Sequence, residues 1–484
     1  MSTRVLPPIE SVSGGSHGVH AGYEQMLVLA ERYERQAGDL VEMAALGARV
    51  MADGDLLESS VLAPLSFADA EVHVLDATTG ADGLTVRAVG IEADALGVRA
   101  VVAAFRASDA LAERTSETID NTMGRLVGRE LAAALPALLV AGAISYAWWS
   151  TLPPDEQTAL QDRLTEGLGE LVHDHPELAQ HLVNSGGGLL DGLTGGLVTG
   201  SARLLDPGDG AIQGATTNDA ARLLALLLGD DTDYDVHQLT GIAPSDNQSS
   251  APGSLADLMR SLDDTNDLDQ DEPRRHGAIQ IQTIGQPPHE RYIVYIPGTD
   301  DMSPVPQDGE HVRDMETSYQ LIGGMDSAYG RGIEQAMLDA GLDGKDVMLV
   351  GHSQGGMVST SLAADPDFTR HFNVQHVVTA GSPTAQVPLL PDGTHALHLE
   401  NRGDAVPLLD GEDNPDQPNR TTVKFDQGTS NVGGNHGIDR YVQGAQAADA
   451  SGNGSIQDQI RHMQQDGYLG SDPVTGVSTY QVTR

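Results

Sequence analysis

The spacing of apolar residues divides the chain into two parts with different periods. Near the N-terminus, apolar or small side chains recur every three to four residues, which places them on one face of a helix. This pattern predicts one helix over 19–51 and a second that runs from Ala88 to Phe105. Because each helix carries one seam of apolar and small residues, we expect the two helices to pack as an antiparallel hairpin.

From Gly277 onwards, apolar residues alternate with polar ones or form short continuous runs, as they do in β-strands. A helical spacing intervenes at 317–340. Strands that alternate with helices are typical of crossover units in a mainly parallel sheet. The fold class is therefore α/β in the C-terminal part, preceded by an all-α N-terminal region. The predicted strands are 278–284, 292–296, 346–350, 373–379, 395–399 and 422–425.

Between these parts lies an uncharged apolar segment, Leu131 to Leu152, with Tyr146, Trp148 and Trp149 near its end. It is long enough to span a bilayer of ~30 Å, and its aromatic residues lie where an interfacial belt would form. Pro136 and many alanines make it a marginal membrane span. A buried or lipid-contacting hairpin is favoured over a transmembrane helix, and both interpretations stay open.

The remaining boundaries follow from charge and turn residues. Amphipathic spacing predicts helix in 153–182 and a short helix at 217–228, while seven of the eighteen residues 255–272 are acidic. We therefore expect an acidic linker between the two parts. The predicted division is a helical hairpin at 1–125, an apolar and amphipathic helical region at 126–230, the linker at 231–275, a catalytic domain at 276–450 and a tail at 451–484.

Composition narrows the classes of partner. The net charge is −43, from 70 acidic and 27 basic residues among 484, and it argues against nucleic acid or anionic membrane surfaces as electrostatic partners. The absence of cysteine excludes disulfides and thiolate metal sites. The N-terminal residues lack the apolar core of a secretory signal, so we expect a cytoplasmic protein or one exported by another route, with membrane contact only through 131–152.

One motif carries recognisable chemistry. Gly351-His352-Ser353-Gln354-Gly355 follows an apolar strand and precedes helical spacing, which is the layout of a nucleophile elbow. A serine at so sharp a turn leaves no room for side chains two positions away, and Gly351 and Gly355 meet that requirement. A second match, Gly14 to Gly18, follows a proline-containing polar stretch with no predicted strand, so Ser353 is the predicted nucleophile.

With this elbow, residues 275–450 resemble the α/β-hydrolase fold, in particular its lipase, esterase and cutinase-like branch. The resemblance implies a chain order of serine, acid and histidine. Asp404, one short turn beyond a strand and followed by Val-Pro, matches the family position of the acid, and Glu400 is the alternative. Asp410 and Asp413 are interpreted as solvated loop residues.

The family places its histidine in a loop that opens a helix after a later strand, which corresponds to His436. His462 lies on a polar helix and is interpreted as a surface residue. His352 precedes the nucleophile and is expected to point away from it, with no part in proton transfer.

An oxyanion hole requires two preorganised donors. The backbone N–H of Gln354 is one candidate, and Thr299 is the other because Gly298 allows the backbone to approach closely. An ordinary turn at Pro297-Gly298 is the alternative interpretation.

These residues predict a serine ester hydrolase that forms an acyl-enzyme on a neutral or lipid-like ester, with no metal and no organic cofactor. Thioesterase, amidase and acyltransferase chemistry would use the same residues. The N-terminal hairpin weakly resembles the WXG100 and ESX-like modules of actinobacteria, although their Trp-x-Gly turn is absent. That resemblance implies an alternative function as a type VII secretion-associated effector or partner-binding protein, with residues 20–120 binding a helical partner or a second copy.

Overall fold

The computed structural model of the protein describes residues 6–51, 53–80, 83–103, 172–194, 197–205, 216–229, 233–271, 275–303, 311–429 and 432–484, together with 106, 120–121, 124–125 and 129. The chain divides into two compact units. One comprises Val19–Arg114, and the other comprises Met1–Gly18 together with Thr115–Arg484. The apolar segment 131–152 and residues 153–171 lie outside the described residues.

A sheet of nine strands forms the centre of the larger unit, in the order β1-β8-β7-β6-β5-β4-β3-β9-β2. All six strands predicted from the sequence are present, and strands β4 to β8 run parallel to one another. The α/β fold class is therefore confirmed. The strands are β1 (Ile9–Gly14), β2 (Asp235–Leu239), β3 (Ala278–Ile284), β4 (Arg291–Ile296), β5 (Asp346–His352), β6 (Asn373–Ala380), β7 (His395–Asn401), β8 (Arg420–Phe425) and β9 (Val474–Thr483).

Helices cover both faces of the sheet, and its central strands are therefore buried on both sides. The larger unit's described helices are α4 (Pro176–Leu193), α5 (Leu197–Leu205), α6 (Thr217–Leu228), α7 (Leu255–Asp271), α8 (Met315–Ile322), α9 (Ala328–Asp339), α10 (Gln354–Ala364), α11 (Phe368–His371), α12 (Val432–Asn435), α13 (Ile438–Asp449) and α14 (Gly454–Gln465), following α1 to α3 of the smaller unit. Helices α7, α13 and α14 pack in one core, and α9 and α10 pack in the other.

The helix expected over 317–340 is two helices. Helix α8 ends before Gly323, and α9 begins after Ser327, whose side chain caps it. Gly324 between them has a φ of 66°, a left-handed conformation that an α-helix does not contain. The pair of glycines therefore stops the first helix, and the second starts in a new direction.

The expected acidic linker contains ordered elements. Strand β2 and helix α7 lie in it, and Leu255, Leu258, Met259 and Leu262 of α7 are fully buried in the core. The acidic residues of α7 are interspersed with a leucine face at helical spacing, so the charge run reflects the outer face of a core helix. The acidic content of this segment predicted a linker because it does not register the spacing of the leucines.

Residues 451–484 are likewise not a tail, because they form α14 and β9. Strand β9 lies between β3 and β2 and pairs antiparallel with both. At the other edge of the sheet, β1 pairs antiparallel with β8. A strand therefore does precede Gly14 to Gly18, and α1 begins directly after Gly18. Ser16, however, donates a hydrogen bond to Asp458, and His17 and Gly18 separate it from the helix.

The smaller unit is helical, with α1 (Val19–Met51), α2 (Gly54–Leu62), α3 (Pro64–Thr79) and helical backbone over 84–103. Small side chains form its buried face, namely Ala30, Ala37, Ala88 and Ala95. The two expected helices do lie antiparallel, because Arg99 pairs with Glu34 of α1 at 2.9 Å and Arg106 pairs with Glu24 at 2.8 Å. The connection between them was not expected to be helical, but it contains α2 and α3, and α3 also packs on α1. Among the residues described in both units, no helix is long and apolar enough to cross a membrane.

Candidate active site

Ser353 stands at the junction of β5 and α10, with φ of 54° and ψ of −123°. Among the described residues it is the one non-glycine residue with a positive φ. A Cβ on Gly351 would lie 2.3 Å from the carbonyl oxygen of Gly355, and a Cβ on Gly355 would lie 2.0 Å from that of Ile296. Both positions therefore require glycine, which is the steric condition of a nucleophile elbow.

The side chains of Ser353, His436 and Asp404 form one hydrogen-bonded chain. His436 Nε2 lies 2.9 Å from Ser353 Oγ, and His436 Nδ1 lies 2.7 Å from Asp404 Oδ2. Each residue follows the carboxyl end of a strand, β5 for Ser353, β7 for Asp404 and β8 for His436. Since these strands are parallel, the three loops meet at the carboxyl ends of the strands.

The Asp404 carboxylate is buried and accepts further hydrogen bonds. The backbone N–H of Val406 donates to Oδ1 at 2.9 Å, and the hydroxyl of Tyr441 donates to Oδ2 at 2.6 Å. Sequence reasoning missed Tyr441. Its only signal was its place on the inward face of the helix after His436, in register with Ala445 and Ala448, which reads as an ordinary core position.

Asn435 joins the loop of the histidine to the loop of the acid. Its Nδ2 donates to the carbonyl oxygens of Gly403 at 3.1 Å and Thr429 at 2.7 Å. The backbone carbonyl oxygen of Asn435 accepts from Asn401 Nδ2 at 3.0 Å. The side chain is fully buried, so these contacts fix the distance between the segments that carry His436 and Asp404. Sequence reasoning also missed this residue.

The alternative acid and the alternative base lie in other surroundings. Glu400 accepts a hydrogen bond from Asn414 at 2.7 Å and lies 3.6 Å from Lys424, and burial raises its pKa to about 7. His462 contacts the ring of His395 at 4.3 Å between centroids. His395 begins β7, whereas Ser353 follows the end of β5. His395 and His462 therefore lie at the amino ends of the parallel strands, and Ser353 lies at their carboxyl ends.

Asp410 was expected to be a solvated loop residue, and the structure corrects this. Only 3% of it is exposed, and its Oδ2 accepts from the backbone N–H of Ala385 at 2.7 Å. Burial raises its pKa to about 8. Asp413, in contrast, is largely exposed and pairs with Lys424 at 2.6 Å.

His352 does not point away from the site. Its ring lies 4.6 Å from that of His436 between centroids, and its Nε2 donates to the backbone carbonyl oxygen of His436 at 2.9 Å. Burial, with His436 alongside, lowers the pKa of His352 to about 3. His352 is therefore a neutral donor that holds the backbone of His436.

The candidate oxyanion donors lie close to Ser353. Gln354 is the first residue of α10, where backbone N–H groups have no acceptor within the helix. A Cβ on Gly298 would lie 2.8 Å from Ser353 Cβ, so the turn after β4 packs against the nucleophile. Thr299, in the same turn, lines the cavity that opens over Ser353. The buried side chain of Gln354 donates to the carbonyl oxygen of Asp314 at 2.6 Å and so ties α8 to the elbow.

A cavity of about 490 Å³ opens over Ser353 and His436. Two aspartates, Asp263 and Asp439, lie on its wall, and burial together with neighbouring Asp267, Asp264 and Asp439 raises the pKa of Asp263 to about 6. Asn266, Thr299, Ser318 and His352 add polar groups to the lining. Its apolar side chains are Met302, Met315, Ile322, Met357, Pro383, Val406, Leu409 and Ile438. Within the described part of the chain, no group of three or more His, Asp or Glu side chains is arranged to hold a metal ion.

Comparison with protein families gives one match. Residues 317–430 match the PGAP1-like alpha/beta domain, a serine-esterase-like family of the α/β-hydrolase superfamily. The matched part includes Ser353 and Asp404 and ends shortly before His436. This part of the chain is thus similar to a hydrolase-type α/β domain. No curated protein and no solved structure matches the chain.

Proposed function

We propose that the protein is a serine ester hydrolase of the lipase or esterase type, acting through an acyl-enzyme on a neutral or apolar ester. The observation that carries this proposal is the hydrogen bond of 2.9 Å between Ser353 Oγ and His436 Nε2, made from a strained elbow. A serine hydroxyl is a poor nucleophile unless a base accepts its proton, and this contact supplies that base.

In the proposed reaction, Ser353 Oγ attacks the ester carbonyl carbon while its proton passes to His436 Nε2. Asp404 accepts the hydrogen bond from Nδ1–H and stabilises the imidazolium that forms. The N–H groups of Gln354 and Thr299 donate to the tetrahedral oxyanion, with Gly298 allowing the close approach.

The intermediate then collapses to an acyl-serine. His436 returns its proton to the leaving alcohol as the carbon–oxygen bond of the ester breaks. A water molecule attacks the acyl-serine and gives a proton to His436, which transfers it to Ser353 as the acid departs.

The lining of the cavity supports an apolar acyl group as its occupant. Methionines 302, 315 and 357 and the neighbouring aliphatic residues offer adaptable apolar contacts. An acyl chain of medium length gains free energy with each methylene that leaves water, roughly 0.8 kcal/mol per group. We expect kcat/KM to rise along a series of p-nitrophenyl esters from acetate until the cavity is filled, and matched anilides to be poor substrates.

A fluorophosphonate probe tests the class of enzyme. Stoichiometric labelling of the full chain, lost in Ser353→Ala, is the expected result. Ser361→Ala is the matched control, because Ser361 lies on the same helix outside the cavity, and this variant should keep the label. If the folded protein takes up no label, the proposal fails.

A second candidate function concerns the smaller unit, which we propose to be a docking module for a helical partner or a second copy. Val61, Leu62 and Leu65 support it, because these side chains are more than four-fifths exposed. The expected result is that Leu62→Ser with Leu65→Ser abolishes self-association or partner binding of the full chain in light-scattering experiments. If the unsubstituted chain neither self-associates nor binds a helical partner, this candidate is contradicted.

A further inference from the structure

Tyr441 lies outside the proposed triad but donates a hydrogen bond to its acid, Asp404. Tyr441 lies on α13, is fully buried, and packs edge-on against Phe425 at 5.6 Å between ring centroids. Its hydroxyl lies 2.6 Å from Asp404 Oδ2 and 3.3 Å from the backbone nitrogen of Asn401. The phenol is therefore held from both sides.

The direction of these bonds follows from their chemistry. A backbone N–H can only donate, so the N–H of Asn401 donates to the phenol oxygen. Burial and the nearby Asp404 raise the pKa of Tyr441 well above its ordinary value, so the phenol keeps its proton. That proton is directed to Asp404 Oδ2.

Oδ2 is also the atom that accepts from His436 Nδ1, at 2.7 Å. One carboxylate oxygen is thus shared by the imidazole and the phenol, while the other accepts from Val406. A donor on the shared oxygen stabilises negative charge there and weakens the hold of the carboxylate on an imidazolium.

The backbone around this contact leaves no room for a displaced arrangement. Gly381 has a φ of 61°, and a Cβ there would lie 2.9 Å from the Tyr441 hydroxyl oxygen and 3.0 Å from Asp404 Oδ2. Any larger residue would press on both partners of the bond. The close approach of β6 to the pair therefore depends on glycine.

We propose that Tyr441 is a positioning residue that sets the basicity of His436 through Asp404. It holds Oδ2 in line with Nδ1 and draws charge from that oxygen, so that His436 loses its proton at a lower pH than it would beside an unassisted carboxylate. The inference rests on the proposed function for its catalytic meaning, but the effect on His436 is a property of the folded protein.

Other ionisable groups face the site and must be held constant. They are His352 from the end of β5, Glu400 from β7, Asp263 from α7 and Asp439 from α13. Since burial raises the pKa of Glu400 to about 7 and that of Asp263 to about 6, the comparison must be made between variants that retain both.

The experiment compares wild type, Tyr441→Phe and Tyr468→Phe. Tyr468 is the matched control because it is also fully buried and donates to Gln375 at 3.0 Å, close to the opposite edge of the sheet. The first measurement is the pH dependence of kcat/KM on a p-nitrophenyl ester. The second is the titration of the His436 ring by NMR, with its signal identified by its loss in His436→Gln.

In Tyr441→Phe we expect the pKa of His436 and the acid limb of kcat/KM to move up by roughly half to one pH unit, with KM unchanged. Tyr468→Phe should superimpose on wild type. A loss of activity at every pH without a shift of His436 would indicate packing alone and would overturn the inference.

Two outcomes separate this inference from the proposed function. If the pKa of His436 shifts in Tyr441→Phe but the wild type hydrolyses no ester, the proposed function fails and the positioning role stands. If wild type is an esterase and neither measurement shifts, the positioning role fails. Should Tyr441→Phe not fold, 3-fluorotyrosine inserted at 441 provides the test, because its stronger donor should move the acid limb to lower pH and an unmoved limb would overturn the inference.

Discussion

At the scale of single residues, Asp404 and Glu400 illustrate how surroundings decide a role. They lie four positions apart at the end of the same strand, but only Asp404 contacts His436. Glu400 contacts Asn414 and Lys424 instead. Two nearby carboxylates therefore have different partners, and only one of them contacts a histidine.

This contrast leads to a prediction about the acid. Asp404→Asn should keep the fold but lower kcat by roughly 10⁴, because an amide favours the wrong histidine tautomer. Glu400→Gln should have a far smaller effect. Steady-state kinetics of both variants on one ester checks this, and a reversal of the two effects would identify Glu400 as the acid.

A second prediction at this scale concerns the elbow. Gly355→Ala would bring a methyl group within 2.0 Å of the carbonyl oxygen of Ile296, which only backbone movement could relieve. We expect a loss of about 3 kcal/mol or more in the free energy of unfolding, measured in urea. Gly393→Ala is the control, because no atom lies within 4 Å of a Cβ there. Equal stability of the two variants would disprove the steric argument.

At the scale of elements, β9 shows that the last part of the chain belongs to the sheet. Val482 is fully buried, and a Cβ on Gly332 of α9 would lie 2.1 Å from its Cγ1. Strand β9 thus both pairs with its neighbours and packs beneath a helix.

We therefore predict that Val482→Ala lowers the free energy of unfolding by about 1–3 kcal/mol, through lost apolar burial and a residual cavity. Thr475→Ala, at the exposed end of the same strand, should change it by less than about 0.5 kcal/mol. Denaturant unfolding of both variants provides the measurement. An unaffected Val482→Ala variant would mean that β9 contributes little to the core.

At the scale of the whole molecule, buried acids link stability to pH. Burial raises the pKa of Glu400 to about 7 and that of Asp410 to about 8. Between their ordinary values near 4 and these values, the folded state holds protons that the unfolded state releases. The free energy of unfolding must then fall as pH rises through this window.

The prediction is that stability declines from pH 5 to pH 7 by up to about 1.4 kcal/mol per pH unit for each of the two groups. Glu400→Gln with Asp410→Asn should flatten this slope, while Asp392→Asn on the exposed surface should not. Urea unfolding at high ionic strength is the measurement, because salt screens the repulsion expected from a net charge of −43. A slope that is the same in all three proteins would contradict the prediction.

The amino-acid sequence was sufficient to predict the features that depend on neighbouring residues. Alternating apolar residues marked β3, and short apolar runs marked β4 and the parallel strands after it, since strands buried on both faces are apolar on both faces. The glycines around Ser353 marked the elbow, because a local backbone conformation demanded them. The sequence with its family resemblance also selected Asp404 and His436, which the structure brings into hydrogen-bond contact, while their catalytic roles stay predictions.

Tertiary structure decided what depends on partners far away in the chain. Strands β1, β2 and β9 are stabilised by pairing and carry a weak apolar pattern, so no local signal predicted them. The charge run of α7 became a core helix only when its leucine face met the sheet. Tyr441 and His352 acquired their contacts across 37 and 84 residues, respectively. A hydrogen bond over such a distance depends on how the elements pack, and the spacing of residues along the chain does not encode it.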